Sequence, residues 1–371
     1  MELGDFNFDE FFGMGDDTNP LMMLVWILPV IIFVFYGQRI QLQITSNDIK
    51  KQINKLNLYK DESRTELINH VKNFSKTDHT SRLDTFVDYF TIMPVDMDPN
   101  GIVSKVRHII RSREDHTRLQ IKSLYPEIDD YELSRVQTLL EITSTLKLLY
   151  KIINHLYLTA KKQNNYPLIL PLQMMLPFIM EEAEALKEAL TAFKAGQPVG
   201  DGIGPMVVGK LMLNTKKQPI AFQTVYSETE YKGKKLFLMK AEGPQSSVGR
   251  LGDGVESLTS KNKIDFIIMI DASLKFEGED SAQTSQGFGA AIGGIGTERF
   301  QIEEIATKNN IPIFAIVIKQ SVKEAITLMT KEIAEKADDV RSQVYKMIDE
   351  NVDSGKSVLV IGVGNTMGVP Q

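Results

Sequence analysis

The run Ile264-Asp-Phe-Ile-Ile-Met-Ile-Asp271-Ala272 is the most informative part of this chain for its fold. A short, continuous apolar run is typical of a strand that is buried on both faces of a sheet. Other β-rich runs lie around it at 219–226, 235–241, 312–318 and 357–361. Helical patterns alternate with them at 205–213, 254–260, 298–308 and 322–350. The sequence therefore predicts an α/β domain over 196–371, with a mostly parallel sheet flanked by helices on both sides.

Residues 38–195 carry a helical pattern instead, and we predict a helical domain there. Apolar residues recur three, four or seven positions apart at Leu42, Ile49, Ile53 and Leu56, and again at Leu139, Ile142, Leu146, Leu149, Ile153 and Leu156. The first set fits either a helix packed on its own domain or a short coiled-coil seam between subunits. The apolar run 168–180 is too short to span a bilayer, so core packing is favoured over a re-entrant segment.

Charge and cysteine content exclude several classes of function. The chain has no cysteine, which rules out disulfides, thiolate metal sites and thiol nucleophiles. Six of its 48 acidic residues lie within residues 1–37, where no Lys or Arg occurs, and the other 42 acids balance the 42 bases. The formal net charge of -6 is therefore local to the N-terminus. No basic surface is predicted, so we expect no nucleic-acid partner.

Residues 20–37 form an uncharged, mostly apolar segment. Its eighteen residues would span ~27 Å as a helix, close to the thickness of a bilayer core. Acidic residues precede it, and Arg39, Lys50, Lys51 and Lys55 follow it. The positive-inside rule then predicts a single-pass cell-membrane protein with an extracytoplasmic acidic tail at 1–19, a transmembrane helix at 20–37 and a cytoplasmic remainder. A buried core helix is the alternative.

Two aspartates occupy positions where α/β sheets carry their sites. Asp271 ends the central apolar strand, and Asp201 precedes Gly202, Gly204 and a predicted helix start. A glycine-rich run that contains Gly289, Gly293 and Gly294 comes next, and the last predicted strand closes in Gly364-Asn365. Aspartates at such positions also serve as simple helix caps or loop-ordering groups, which is the alternative interpretation.

This order of motifs resembles the bacterial spore germination protease and, more distantly, the hydrogenase maturation endopeptidases, which share one phosphorylase/hydrolase-like α/β fold. Those families begin with a strand closing in Gly-x-Gly-Asn, whereas here Val358-Leu-Val-Ile-Gly-Val-Gly364-Asn365 is C-terminal. A circular permutation explains the difference and predicts that Asn365 lies close to Asp201. The whole chain is also similar to an archaeal family of membrane-anchored proteins of unknown function.

The resemblance implies that Asp201 and Asp271 are the catalytic pair of an atypical aspartic peptidase, sharing one proton. The groups expected to bind substrate are Asn365 and the glycines 202, 204, 289, 293 and 294. The maturation endopeptidases use two acids and a His to hold nickel, and no His follows His155 here. We therefore expect no metal and no cofactor.

The expected partners are the lipid bilayer, a protein or peptide substrate, and further copies of the chain. A competing hypothesis is a non-catalytic, membrane-tethered scaffold or binding module that self-associates through its helical domain. We also expect the tail 366–371 to lie in the cleft and inhibit it.

Overall fold

The computed structural model describes residues 20–75, 77–91, 101–163, 169–293 and 296–370. The predicted acidic tail at 1–19 lies outside these ranges. The chain divides into two compact units, Met1–Lys55 with Lys151–Pro177 and Leu56–Tyr150 with Phe178–Gln371. The second unit contains the whole sheet and every residue of the site described below.

Within the described residues, the N-terminal half is helical. Its helices are α1 (Pro20–Val71), α2 (Thr80–Val87), α3 (Ile102–Leu124), α4 (Asp130–Lys162) and α5 (Ile169–Ala195). Most of the periodic apolar side chains are buried, including those of Ile49, Ile53, Leu56, Leu139, Ile142, Leu146 and Ile153. Because Ile49, Ile53 and Leu56 of the first set are buried within one chain, that set fits a packed helix better than a coiled coil between subunits.

The predicted transmembrane helix over 20–37 is wrong. Among the described residues, no helix combines the length and the apolar character that crossing a membrane requires. The segment does not stand apart as a span, because it is the beginning of the 52-residue helix α1, which continues through polar sequence to Val71. The predicted single-pass membrane localisation and its orientation are corrected with it.

Seven strands of the described residues form one sheet. They are β1 (Gln218–Ala221), β2 (Thr224–Tyr231), β3 (Lys234–Ala241), β4 (Phe266–Leu274), β5 (Thr284–Phe288), β6 (Ile313–Gln320) and β7 (Ser357–Gly362). Their order across the sheet is β1-β2-β3-β7-β4-β6-β5. The central pairs β3/β7, β7/β4 and β4/β6 are parallel, whereas β1/β2, β2/β3 and β5/β6 are antiparallel.

The predicted mostly parallel sheet is therefore wrong, because the sheet is mixed. Tight turns cause the difference at one edge, where the chain reverses twice within residues 218–241. Lys232 and Gly233 join β2 to β3 with φ angles of 46° and 72°, the conformation of a two-residue hairpin turn. At the other edge, the short strand β5 runs antiparallel to β6.

Helices cover both faces of the sheet, as predicted. They are α6 (Ile203–Leu211), α7 (Leu251–Lys261), α8 (Thr297–Lys308), α9 (Val322–Ile326) and α10 (Lys331–Asn351). Ile268 and Ile270 of β4 belong to the buried cluster that includes α6 and α10. Ile267 and Met269 belong to the opposite cluster, with α7 and α8. Since side chains alternate along a strand, Asp271 points to the α7/α8 face.

The C-terminal strand β7 lies in the middle of the sheet, between β3 and β4. Its continuation Val363 donates a hydrogen bond of 2.8 Å from its backbone N to the carbonyl of Ile270. The residues that follow β7 are thereby placed beside the carboxyl end of β4, where Asp271 lies.

Candidate active site

Asp271 is a buried carboxylate at the carboxyl end of β4, with 5% of its surface exposed. Burial raises the pKa of Asp271 well above its ordinary value, and the negative charge of Asp201 raises it further. Hydrogen bonds from the backbone amides of Ala272 and Gly293 favour the charged form and act in the opposite direction. Asp271 is consequently a carboxyl group that retains its proton to unusually high pH.

Asp201 lies in the 3₁₀ turn Gly200–Gly202, immediately before α6. Its Oδ2 accepts a hydrogen bond of 2.7 Å from the backbone N–H of Asn365. Burial of the carboxyl raises the pKa of Asp201, while the Asn365 N–H lowers it. This hydrogen bond favours the charged form of Asp201 and partly offsets the effect of burial.

The predicted proximity of Asn365 and Asp201 is confirmed by this hydrogen bond. The two residues are 164 positions apart in sequence. They meet because β7 occupies the centre of the sheet and ends next to the turn that carries Asp201. The sheet therefore receives this Gly-x-Gly-Asn strand from the C-terminal end of the chain.

Asp201 and Asp271 line one cavity of about 330 Å³. Much of its wall is apolar, and α3 contributes Ile110 and Glu114 to it. The other apolar wall residues are Val248, Leu251, Ile292 and Val363. None of these wall residues was predicted, because they come from separate elements and share no local pattern.

Acidic side chains also dominate the charge around this cavity. Glu114 and Glu298 line it together with the two aspartates. Glu298 is paired with Arg111, whose guanidinium lies 2.9 Å from both Glu298 and Asp253. Across the described ranges, no cluster of three or more His, Asp and Glu side chains is arranged to hold a metal ion.

Among the predicted binding glycines, Gly293 lies on the cavity and donates its N–H to Asp271. Gly294 lies outside the described residues. The amides of Gly202 and Gly289 are used elsewhere, since they donate to the carbonyls of Val199 and Ile313 at 2.9 and 3.0 Å. These two amides therefore serve the local backbone rather than the cavity.

Gly204 acts through its missing side chain. A Cβ there would lie 2.3 Å from the carbonyl oxygen of Val363 and 2.4 Å from that of Ile270. Because only glycine allows this approach, Gly204 packs the start of α6 against the ends of β4 and β7.

The side chain of Asn365 forms its hydrogen bonds with Met367 and Ser246 rather than with the aspartates. Its Oδ1 accepts a hydrogen bond from the N–H of Met367 at 2.8 Å, and its Nδ2 donates to Ser246 Oγ at 3.0 Å. Asn365 and Ser246 line a neighbouring cavity of about 170 Å³. The contribution of Asn365 to the aspartate pair is thus its backbone N–H.

The described part of the C-terminal tail, 366–370, does not line the aspartate cavity. Thr366, Met367 and Val369 are buried instead. Thr366 Oγ1 lies within 3.0 Å of three carbonyl oxygens in the loop 242–247, and its N–H donates to Ser247 O at 2.9 Å. This part of the tail is a structural strap on that loop, in contrast to the predicted occupation of the cleft.

Comparison with known proteins gives the family of the chain. A search of curated proteins found no match. Residues 23–196 match the family model described as Protein of unknown function (DUF1512) N-terminal domain. Residues 199–370 match the model described as Domain of unknown function (DUF1512) C-terminal. With nearly its whole length matched by these two domains, the chain belongs to the DUF1512 family.

Proposed function

We propose that the cavity between Asp201 and Asp271 hydrolyses a peptide bond by an aspartate-dependent mechanism. The observation that carries the proposal is the pair itself, two buried carboxyl groups on one cavity whose charges interact. Two such groups do not both ionise near neutral pH, so the pair holds one proton and supplies a base and an acid at once.

Both aspartates accept backbone N–H groups, so burial and charge rather than hydrogen bonds divide these roles between them. Asp201 accepts the N–H of Asn365, which favours its charged form, and it acts as the base. Asp271 carries the proton, because burial and the charge of Asp201 both favour its neutral form. The shared proton thus lies on Asp271 at the end of β4, and the negative charge lies on Asp201 before α6.

The reaction follows from these protonation states. Water attacks the amide carbon while Asp201 takes its proton, and Asp271 donates its proton to the carbonyl oxygen. The C–N bond of the resulting diol then breaks as the proton on Asp201 passes to the leaving nitrogen. Asp271 recovers a proton from the diol hydroxyl, which gives the acid and amine products and returns the pair to its starting state.

The likeness of motif order to the spore germination protease and the maturation endopeptidases supports the same chemistry by analogy. We include in the proposal this likeness, the circular permutation and an archaeal origin. The DUF1512 family itself is one of unknown function. Fold by itself does not establish function, so the carboxylate pair has to be tested directly.

The test is a comparison of new peptide N-termini generated when purified protein is incubated with a cell proteome. Asp271→Asn and Asp201→Asn are expected to abolish those generated by wild type. Asp265→Asn is the matched control, because Asp265 immediately precedes the opposite end of β4 and binds the N–H of Ser357. Identical profiles for wild type and Asp271→Asn would sink the peptidase proposal and favour a non-catalytic binding module.

A further inference from the structure

A chain of hydrogen bonds connects helix α4 to the aspartate pair. Asn365 Nδ2 donates to Ser246 Oγ at 3.0 Å, and Ser246 Oγ lies 2.8 Å from Thr138 Oγ1. Thr138 Oγ1 in turn donates to the carbonyl of Ser134 at 3.1 Å. With its proton directed to Thr138, Ser246 accepts from Asn365, so each hydroxyl has one donor and one acceptor partner.

We propose that Thr138 and Ser246 are positioning residues, which fix Asn365 so that its backbone N–H is aimed at Asp201. A role in catalysis for these residues rests on the proposed function. The hydrogen bonds themselves do not depend on it. Neither residue reaches the cavity of the aspartates, so both act through Asn365.

Asn365 is suited to this role because its side chain is held at both ends. Its Oδ1 accepts the N–H of Met367 and its Nδ2 donates to Ser246. An aspartate at this position would keep the acceptor and lose the donor. Two restraints on the side chain limit rotation of the residue, and its N–H then stays 2.7 Å from Asp201 Oδ2.

This chain of hydrogen bonds connects the two DUF1512 domains. Thr138 lies in the segment 23–196, whereas Ser246, Asn365 and Asp201 lie in 199–370. A second link supports the first, because the N–H of Ser246 donates to Ser134 Oγ at 3.0 Å. The beginning of α4, with Ser134 and Thr138, is therefore a structural part of the site.

Carboxyl titration by NMR tests this inference without requiring activity. Besides Asn365, the charged groups around Asp201 are Asp271, Glu114 and Glu298 on the cavity wall, and Arg111 behind Glu298. The variants Ser246→Ala and Thr138→Val keep all these charged groups. They remove hydrogen bonds that hold Asn365, whose backbone N–H binds Asp201. We expect the ratio of ionised to protonated Asp201, measured at the wild-type midpoint, to fall at least about threefold.

Thr143→Val is the matched control on α4. Thr143 is buried and its Oγ1 donates to the carbonyl of Leu139 at 2.8 Å, outside the chain of hydrogen bonds. Ser246→Thr keeps the hydroxyl and should restore the wild-type titration. An unchanged Asp201 titration in folded Ser246→Ala and Thr138→Val would overturn the inference.

The two proposals fail in different ways. If the titration moves as expected but wild type cleaves no peptide, the positioning chain stands and the peptidase proposal fails. If wild type cleaves peptides but Ser246→Ala leaves both the titration and the pH profile of cleavage unchanged, the positioning inference alone fails.

Discussion

Gly364 lies directly against Asp201, so closely that a Cβ on Gly364 would be 1.9 Å from the carbonyl oxygen of Asp201. The φ of Gly364 is 133°, a backbone conformation that residues with a side chain rarely adopt. Two independent restraints therefore require glycine at this position. The contact joins the end of β7 to the turn that carries one of the two aspartates.

We expect Gly364→Ala to lower the free energy of unfolding by about 3 kcal/mol or more, because it combines a strained φ with a backbone clash. Denaturant unfolding measures this change. Gly355→Ala is the control, since Gly355 has a φ of 84° but no atom within 4 Å of its added Cβ. Its cost should be about 1 kcal/mol. Equal costs for the two variants would contradict the close contact.

Lys240 is fully buried, and its Nζ donates to the carbonyl of Ala241 at 3.1 Å. Burial lowers the pKa of Lys240 from 10.5 to about 8. The unfolded chain therefore binds more protons between pH 8 and 10.5, so stability rises with pH across that window. At neutral pH, burial of the charged Lys240 therefore lowers the free energy of unfolding by about 3 kcal/mol.

Lys240→Met removes the buried charge and should raise the free energy of unfolding at pH 7 by an amount of that order. The gain should shrink as the pH approaches 10.5, which unfolding at a series of pH values measures. Lys235→Met on the same strand is the control, because Lys235 is exposed and pairs with Glu228 at the surface. A gain that does not vary with pH would count against the lowered pKa.

Asp271→Asn should stabilise the fold at neutral pH while it removes activity. The pKa of Asp271 is raised in the folded state, so the folded protein binds more protons and loses stability as the pH rises above about 4. Asparagine cannot ionise and avoids this loss. We expect a gain on the order of 1 kcal/mol at pH 7, disappearing at acidic pH. Thermal unfolding at pH 7 and pH 3 tests this, and a less stable variant at pH 7 would refute it.

Removal of residues 366–371 should destabilise the protein and leave no gain in activity. The tail residue Thr366 is buried, and its hydroxyl contacts the carbonyls of Glu242, Gln245 and Ser247. The milder variant Thr366→Val should cost about 1–3 kcal/mol, because these carbonyls lose their hydroxyl partner. Its unfolding free energy is compared with that of Thr327→Val, whose exposed hydroxyl donates to the carbonyl of Lys323. A truncated protein that is stable and more active would instead support the prediction that the tail inhibits the cleft.

The strands were predictable where local patterns are strong. The apolar runs around β3, β4, β6 and β7 are short and continuous, and each became a buried strand. The edge strand β5 was missed because Thr284-Ser-Gln-Gly-Phe288 is polar and largely exposed. The run 219–226 was predicted as one strand, whereas the chain reverses after Ala221 and continues as β2. Edge strands lack the burial that produces a recognisable pattern.

At the N-terminus, composition by itself gave a wrong prediction. The apolar run at 20–37 predicted a separate membrane span, but composition over a window does not reveal that a helix continues beyond it. Strand direction was equally hidden, because a buried apolar run reads the same in a parallel and in an antiparallel pair.

The sequence alone determined the α/β class and the helical N-terminal half, and it indicated that Asp271 ends a strand and that Asp201 precedes a helix, since each rests on residues close together in the chain. Only the tertiary structure decided the mixed sheet, the cavity wall formed by Ile110 and Glu114, and the link from Thr138 through Ser246 to Asn365. The link from Thr138 through Ser246 to Asn365, for example, joins residues more than a hundred positions apart at each step. Local periodicity carries no record of such contacts, because they depend on which surfaces meet when the chain folds.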